Sequence, residues 1–192
     1  MSVRRSRPDA ALGAGASWLA ARRVAGFTLL EVLIAMIVLA FGLLSLARAI
    51  GRSSQEQMEA YQRTQAMALV QEMADRINDN RKQAVQYVGD YTPDGPPEDC
   101  EAAPSRVARD QCEWRNRLRG IDTLDAERTI GAPIGARGCV TSPAPNVYLV
   151  AVAWQGVLPT AAPDSICGAG AFDREENRRV HATIVQIALL GA

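Results

Sequence analysis

Glu31 is the residue whose chemistry most needs an explanation. It lies in residues 27–47, FTLLEVLIAMIVLAFGLLSLA, where Thr28 and Ser45 are the only other polar side chains. A carboxylate at the centre of a bilayer costs about 2.5–3.5 kcal/mol on insertion scales, less near an end, and asks for a cationic partner. One such partner is absent from the intact chain. If the backbone is cut between Gly26 and Phe27, the Phe27 α-amine becomes a cation with an ordinary pKa of roughly 7.7–8.0. Glu31 is then the fifth residue, one helical turn in. Copies packed side by side, one displaced along the axis, bring Glu31 of one to the amine of its neighbour. The opposite charges offset each other's desolvation and fix the axial register. The first-turn position also suits an anion, because the helix dipole is positive there.

The remaining reactive residue types are few. Cys100, Cys112, Cys139 and Cys167 all follow the apolar run, and none forms a C-x-x-C pair. An even number beyond a membrane segment points to disulfides in an oxidising compartment. Of the three possible pairings, the two local loops Cys100–Cys112 and Cys139–Cys167 are favoured. His181 is the only histidine and falls in a strand-like stretch, so it reads as a surface strand residue rather than a catalytic base. Asp173, Glu175 and Glu176 lack the spacing of a calcium loop and read as a solvated loop. Gly131, Gly135 and Gly138 read as turn glycines, since no Lys-Ser/Thr follows them. Arg115, Arg117 and Arg119 alternate beside Trp114 without the aromatic interleaving of a nucleic-acid face. No catalytic, metal or cofactor motif is present, so a non-enzymatic role is expected, with no cofactor and no metal site. Lys and Arg total 21 and so do Asp and Glu, and this zero net charge gives no general attraction to nucleic acid.

These residues need elements to place them. As a helix, residues 27–47 cover roughly 30 Å, enough for a bilayer core. The run is too long for the apolar core of a cleaved secretory signal. Arg4, Arg5, Arg7, Arg22 and Arg23 precede it, which predicts a cytoplasmic N-terminus and an exported remainder. No proline occurs between Pro8 and Pro93. Met58, Ala66, Leu69, Met73, Ile77, Ala84 and Val88 recur at helical spacing, which predicts one apolar stripe. A single helix of roughly 50–55 residues, about 80 Å long, is therefore expected from Thr28 to near Asn80, with Gly42 and Gly51 its weak points. Met58, Met67 and Met73 read as packing residues. PDGPP at 93–97 breaks the pattern. A short helix is expected over 105–118 with Val107 and Trp114 facing in. Residues 121–146 read as loop, with a short strand near 129–134. Strands are expected at 147–154 and 178–190. The sum is α+β: a long helix, first hydrophobic and then amphipathic, packed on a small antiparallel sheet. The expected division is a leader at 1–26, a membrane or filament-core half-helix at 27–52, and a periplasmic domain at 53–192.

The stretch GFTLLEVLIAMIVLAFGLL resembles the class III signal of type IV pilins and type II secretion pseudopilins. The resemblance implies a prepilin peptidase that cuts after Gly26 and N-methylates Phe27, with Glu31 as the family glutamate of assembly. The 1–26 leader is longer than is common in this subclass. MADRINDNRKQA at 73–84 and DQCEWRNRL at 110–118 resemble segments of the PilV minor pilins, and the late strand with Arg178 and Arg179 also fits. That similarity implies a role in priming or assembling a pilus tip with other minor pilins, a PilY-type tip adhesin and the inner-membrane assembly platform. A type II secretion pseudopilin of the I type is the alternative within the family. A single-pass anchored periplasmic sensor or enzyme is the alternative outside it.

Overall fold

The computed structural model describes residues 26–121 and 131–188. The chain divides into two units, one ending at Ser45 and the other beginning at Leu46. Helix α1, Leu29–Asp79, contributes residues to both. It runs unbroken through Gly42 and Gly51, where an added Cβ would meet nothing within 4 Å. The expected leader, apart from Gly26, lies outside the described residues.

The second unit is α+β. After α1 come a 3-10 segment, Arg81–Tyr87, a short strand β1, Gly89–Tyr91, and helix α2, Arg106–Leu118. Strands β2, Arg137–Ala144, β3, Val147–Gln155, and β4, Arg178–Gln186, complete it. The sheet is antiparallel throughout, in the order β1-β2-β3-β4. Ser105 starts α2 from an extended conformation, its hydroxyl accepting the Ala108 N–H at 3.1 Å. Such a cap contributes about 1 kcal/mol. Arg115 and Arg117 occupy the last turn, where cations complement the dipole. Between β2 and β3 the chain turns through Pro145 and Asn146, the latter at φ 60°, a conformation asparagine tolerates better than most residues.

The core lies between α1, α2 and one face of the sheet. Ala66, Leu69, Val70, Met73, Ala74 and Ile77 of α1 meet Tyr148, Val150, Val152 and Trp154 of β3 and Val107, Trp114 and Leu118 of α2. Trp114 is fully buried, donates its indole N–H to the Leu69 carbonyl at 2.9 Å and meets the Tyr91 ring edge-on at 4.9 Å. The same ring packs against Gly138, where a Cβ would fall 2.3 Å from it. Glycine is thus required there by packing. A smaller cluster on the opposite face joins Ala151 and Ala153 to Cys139 and Cys167, backed by Phe172 and Val180.

Several expectations are corrected. Met58 and Val88 are exposed, so the buried stripe begins at Gln62 and includes Val70 and Ala74. Residues 131–134 are not a strand, and 129–130 lie outside the described residues. Gly131 sits at φ 79° with the Tyr61 hydroxyl against it, and the Ile134 N–H is taken by Gln62 Oε1 at 3.0 Å. The strand in this region is β2, three residues further on. The last strand ends at Gln186 rather than at 190, and residues 189–190 lie outside the description.

Candidate assembly site at the helix start

Thr28 opens α1. Its carbonyl accepts the Glu31 and Val32 N–H groups at 3.1 and 3.3 Å, and its hydroxyl accepts the Glu31 N–H at 3.2 Å. Thr28 is therefore the cap and Glu31 the third helical residue, the spacing of a capping box. In a complete box the glutamate reaches back to the cap's own N–H. Among the described residues that return bond is not made, and the Glu31 carboxylate has no ion pair. Ser45, the other polar side chain of the run, donates its hydroxyl to the Phe41 carbonyl at 2.9 Å. Thr28 and Ser45 thus satisfy themselves within the helix, as lipid demands. Among the described residues the Glu31 carboxylate is left without a partner.

Around it the helix is apolar on every side. Leu29, Leu30, Val32, Leu33, Ile34, Met36 and Ile37 are all exposed, and the most apolar window of α1 has a mean hydropathy of 2.6 with none of it buried. A helix hydrophobic all round needs lipid or other helices as its surroundings. Phe27 is 81% exposed. At Gly26 an added Cβ would meet nothing within 4 Å, and the backbone there is not left-handed. Among the described residues no packing contact requires that glycine.

The second unit carries the other candidate residues. Disulfides join Cys100 to Cys112 and Cys139 to Cys167, with Cα atoms 5.5 and 5.8 Å apart. These are the two local loops. The first ties the segment before α2 to α2. The second ties β2 to the connection between β3 and β4. That connection is also clamped by Arg178, only 4% exposed, whose guanidinium donates to the carbonyls of Pro163, Ser165 and Cys167 and pairs with Glu175 at 2.6 Å. The Gly170 N–H, and then Arg178, hold the Glu175 carboxyl below its usual range. Glu175 thus clamps the connection from a solvated position, and Asp173 and Glu176 beside it are exposed. At the other end of the connection, Glu59 of α1 accepts the Val157 and Leu158 N–H groups at 2.6 and 3.1 Å.

Arg76 joins α1 to α2. It pairs with Glu72, Asp110 and Glu113 at 2.8, 2.8 and 2.7 Å. Burial pushes its guanidinium down, but hydrogen bonds and charge from Glu113 and Glu72 outweigh this and hold it above its ordinary value. Asp110 also accepts the Tyr87 hydroxyl at 2.5 Å. The arginines near Trp114 are likewise committed. Arg115 chelates Glu98 through two bonds of 2.7 Å, and this holds the Glu98 carboxyl low. Arg119 binds the carbonyls of Pro93 and Asp94, and Arg117 approaches Glu72 at 3.8 Å. His181 lies partly exposed on β4. Among the described residues no group of three His, Cys, Asp or Glu side chains is placed to hold a metal ion.

The clamps at Thr28, Arg76 and Arg178 escape the sequence reading. Only Thr28 had a visible signal, the T-x-x-E spacing of TLLE. Arg76 and Arg178 acquire their partners through tertiary contact.

Residues 21–47 match the family described as the prokaryotic N-terminal methylation motif. No curated protein and no solved structure matches the chain. The matched residues hold Gly26, Phe27, Thr28 and Glu31 together. With the apolar helix they support a type IV pilin-like or pseudopilin protein, processed by a prepilin peptidase and anchored in a membrane.

Proposed function

We propose that the chain is a minor pilin of the PilV kind that acts by assembly rather than catalysis, starting from its prepilin-type methylation motif. A prepilin peptidase removes residues 1–26 and N-methylates Phe27. The domain from 53 onward is periplasmic. The apolar helix then leaves lipid for a bundle of like helices, guided by Glu31 and a neighbouring α-amine. The protein joins other minor pilins in a complex that primes the pilus tip, on the inner-membrane assembly platform and with a PilY-type tip adhesin. The observation that carries the assembly reading is the capped helix start. Thr28 caps the Glu31 N–H, and among the described residues the Glu31 carboxylate does not make the return bond to the Thr28 N–H that would complete a capping box, so it is available for an intermolecular partner.

Mass spectrometry of the mature protein tests the processing: the N-terminus should be N-methylated Phe27, dependent on prepilin peptidase. An intact leader would overturn it and favour a permanently anchored periplasmic protein. Glu31→Ala and Glu31→Lys should be cut normally yet be absent from sheared filaments. Their normal incorporation would remove the amine-pairing account. Affinity capture separates the pilus from the type II secretion alternative, because the reading requires pilus and not secretion subunits to co-purify.

A further inference from the structure

Among the described residues the outer edge of β4 is unpaired and lies beside a groove. β4 pairs with β3 over nine residues, Arg178–Gln186, with no break in register. Two flanking bonds fix which backbone groups point inward: Gly156 N–H to the Asn177 carbonyl at 2.7 Å, and Ile187 N–H to the Asn146 carbonyl at 2.9 Å. Antiparallel pairs alternate between bonded and non-bonded. Arg179, His181, Thr183 and Val185 therefore bond to β3, and the N–H and C=O groups of Val180, Ala182, Ile184 and Gln186 face away from it. Among the described residues these outward groups have no backbone partner. Ala182, Ile184 and Gln186 are exposed. The strand contains no proline, lysine or bulge, the devices that normally protect an edge. The opposite edge, β1, is only three residues long.

Beside this edge lies a groove of about 580 Å³ on the helix-facing side, lined by Glu59 and Arg63 of α1, Trp154 of β3, and Arg179 and His181 of β4. Its charge is lopsided. Glu59 is already shared among Arg179 and the Val157 and Leu158 N–H groups. Arg63 is exposed and has no ion pair among the described residues. Trp154 is 3% exposed, and among the described residues its indole N–H has no acceptor. Arg179 answers Glu59 and donates to the Leu158 and Glu176 carbonyls, so among the described residues Arg63 is the uncommitted cation of the groove, beside the His181 imidazole. The other side of the edge is apolar, with Ile184 67% exposed.

We propose that β4 accepts an extended segment of another protein as a fifth strand, with acidic and apolar residues alternating in that segment. Its backbone would bond to Val180, Ala182, Ile184 and Gln186. Its acidic row would face Arg63, Arg179 and His181, and its apolar row Ile184. Strand addition of this kind takes affinity from the backbone bonds and specificity from alternate side chains. A second copy of β4 fits less well, because it would bring its own Arg179 and His181 to the same cationic face. The inference does not depend on the filament reading, since it uses only the second unit.

The test uses the full chain in detergent micelles and a short labelled peptide alternating glutamate and valine, with a lysine–valine peptide as control. Fluorescence anisotropy should show saturable binding of the acidic peptide and little of the basic one. Ala182→Pro removes one outward N–H without touching the ladder to β3, a position where edge strands tolerate proline, and it should abolish binding while far-UV circular dichroism is unchanged. Arg63→Glu, on the helix and independent of the strand's folding, should weaken the acidic peptide about tenfold and improve the basic one. The proposal is overturned if the acidic peptide fails to bind at millimolar concentration, if both peptides bind alike, or if folded Ala182→Pro binds as wild type. Self-association that Ala182→Pro removes would overturn it too, in favour of a second copy.

Discussion

Single side chains in this protein carry charge in two contrasting ways. At Glu31 a carboxylate stands on an apolar helix while the residue's own N–H is capped by the Thr28 hydroxyl. At Asp110 a carboxylate is nearly buried and fully engaged by Arg76 and Tyr87. The second arrangement has a pH consequence. Burial, followed by the bond to Asp110, pushes the Tyr87 hydroxyl up to about 12, and burial does the same to Tyr91. A raised tyrosine pKa means that the folded state favours the protonated phenol. That contribution is complete below the ordinary value near 10 and is lost as pH rises through about 12. Phenolate absorbance of the folded protein should therefore appear later than in the denatured chain. Tyr87→Phe should flatten the alkaline fall in urea midpoint between those two values, and an unchanged profile would sink the assignment.

Among the elements, the pairing of α1 with α2 rests on Trp114 for shape and on Arg76 for charge. Arg76→Met keeps the stem but leaves Asp110 and Glu113 facing each other without their cation. Removing one partner of a largely buried ion pair costs roughly 3 kcal/mol. The variant should lose about that much in denaturant titration, and Asp110→Asn should restore part of it. How far these elements were legible follows from where their signals lie. Both helices, β3 and β4 announce themselves through caps, periodicity and β-branched runs. β1 and β2 do not. β1 is GDY, with one buried residue. β2 is RGCVTSPA, where Gly138 and Pro143 carry the marks of a loop. Gly138 is there because the Trp114 ring occupies the space of its side chain, a reason that exists only in three dimensions. Pro143 falls at the register irregularity between Thr141 and Ala144, where a missing N–H is tolerated. The helix start was readable because its chemistry is local: Gly26, Phe27 and Glu31 lie within one turn. Arg178 carries no such local signal, since its partner carbonyls lie in the loop before it.

At the scale of the whole molecule, the connection between β3 and β4 is the part that local structure supports least. It is long, rich in proline and glycine, and nearly without regular structure. It is held by the Cys139–Cys167 bridge, by Arg178 from within the sheet and by Glu59 from the helix. On the chain-entropy account the bridge contributes about 3.5 kcal/mol, and the shorter Cys100–Cys112 bridge about 3. Cys139→Ser with Cys167→Ser should lower the unfolding free energy by about 3.5 kcal/mol and make the connection the first site of limited proteolysis. Equal losses spread over the whole domain would contradict this. The same arrangement sets an order of events during synthesis. β3, with its run VYLVAVAW, is made well before the strand that covers its second edge. Until β4 emerges, β3 is a bare apolar strand of the kind that pairs with other chains. The nascent protein therefore passes through an interval, set by residues 156–177, in which β3 lacks the strand that covers its second edge.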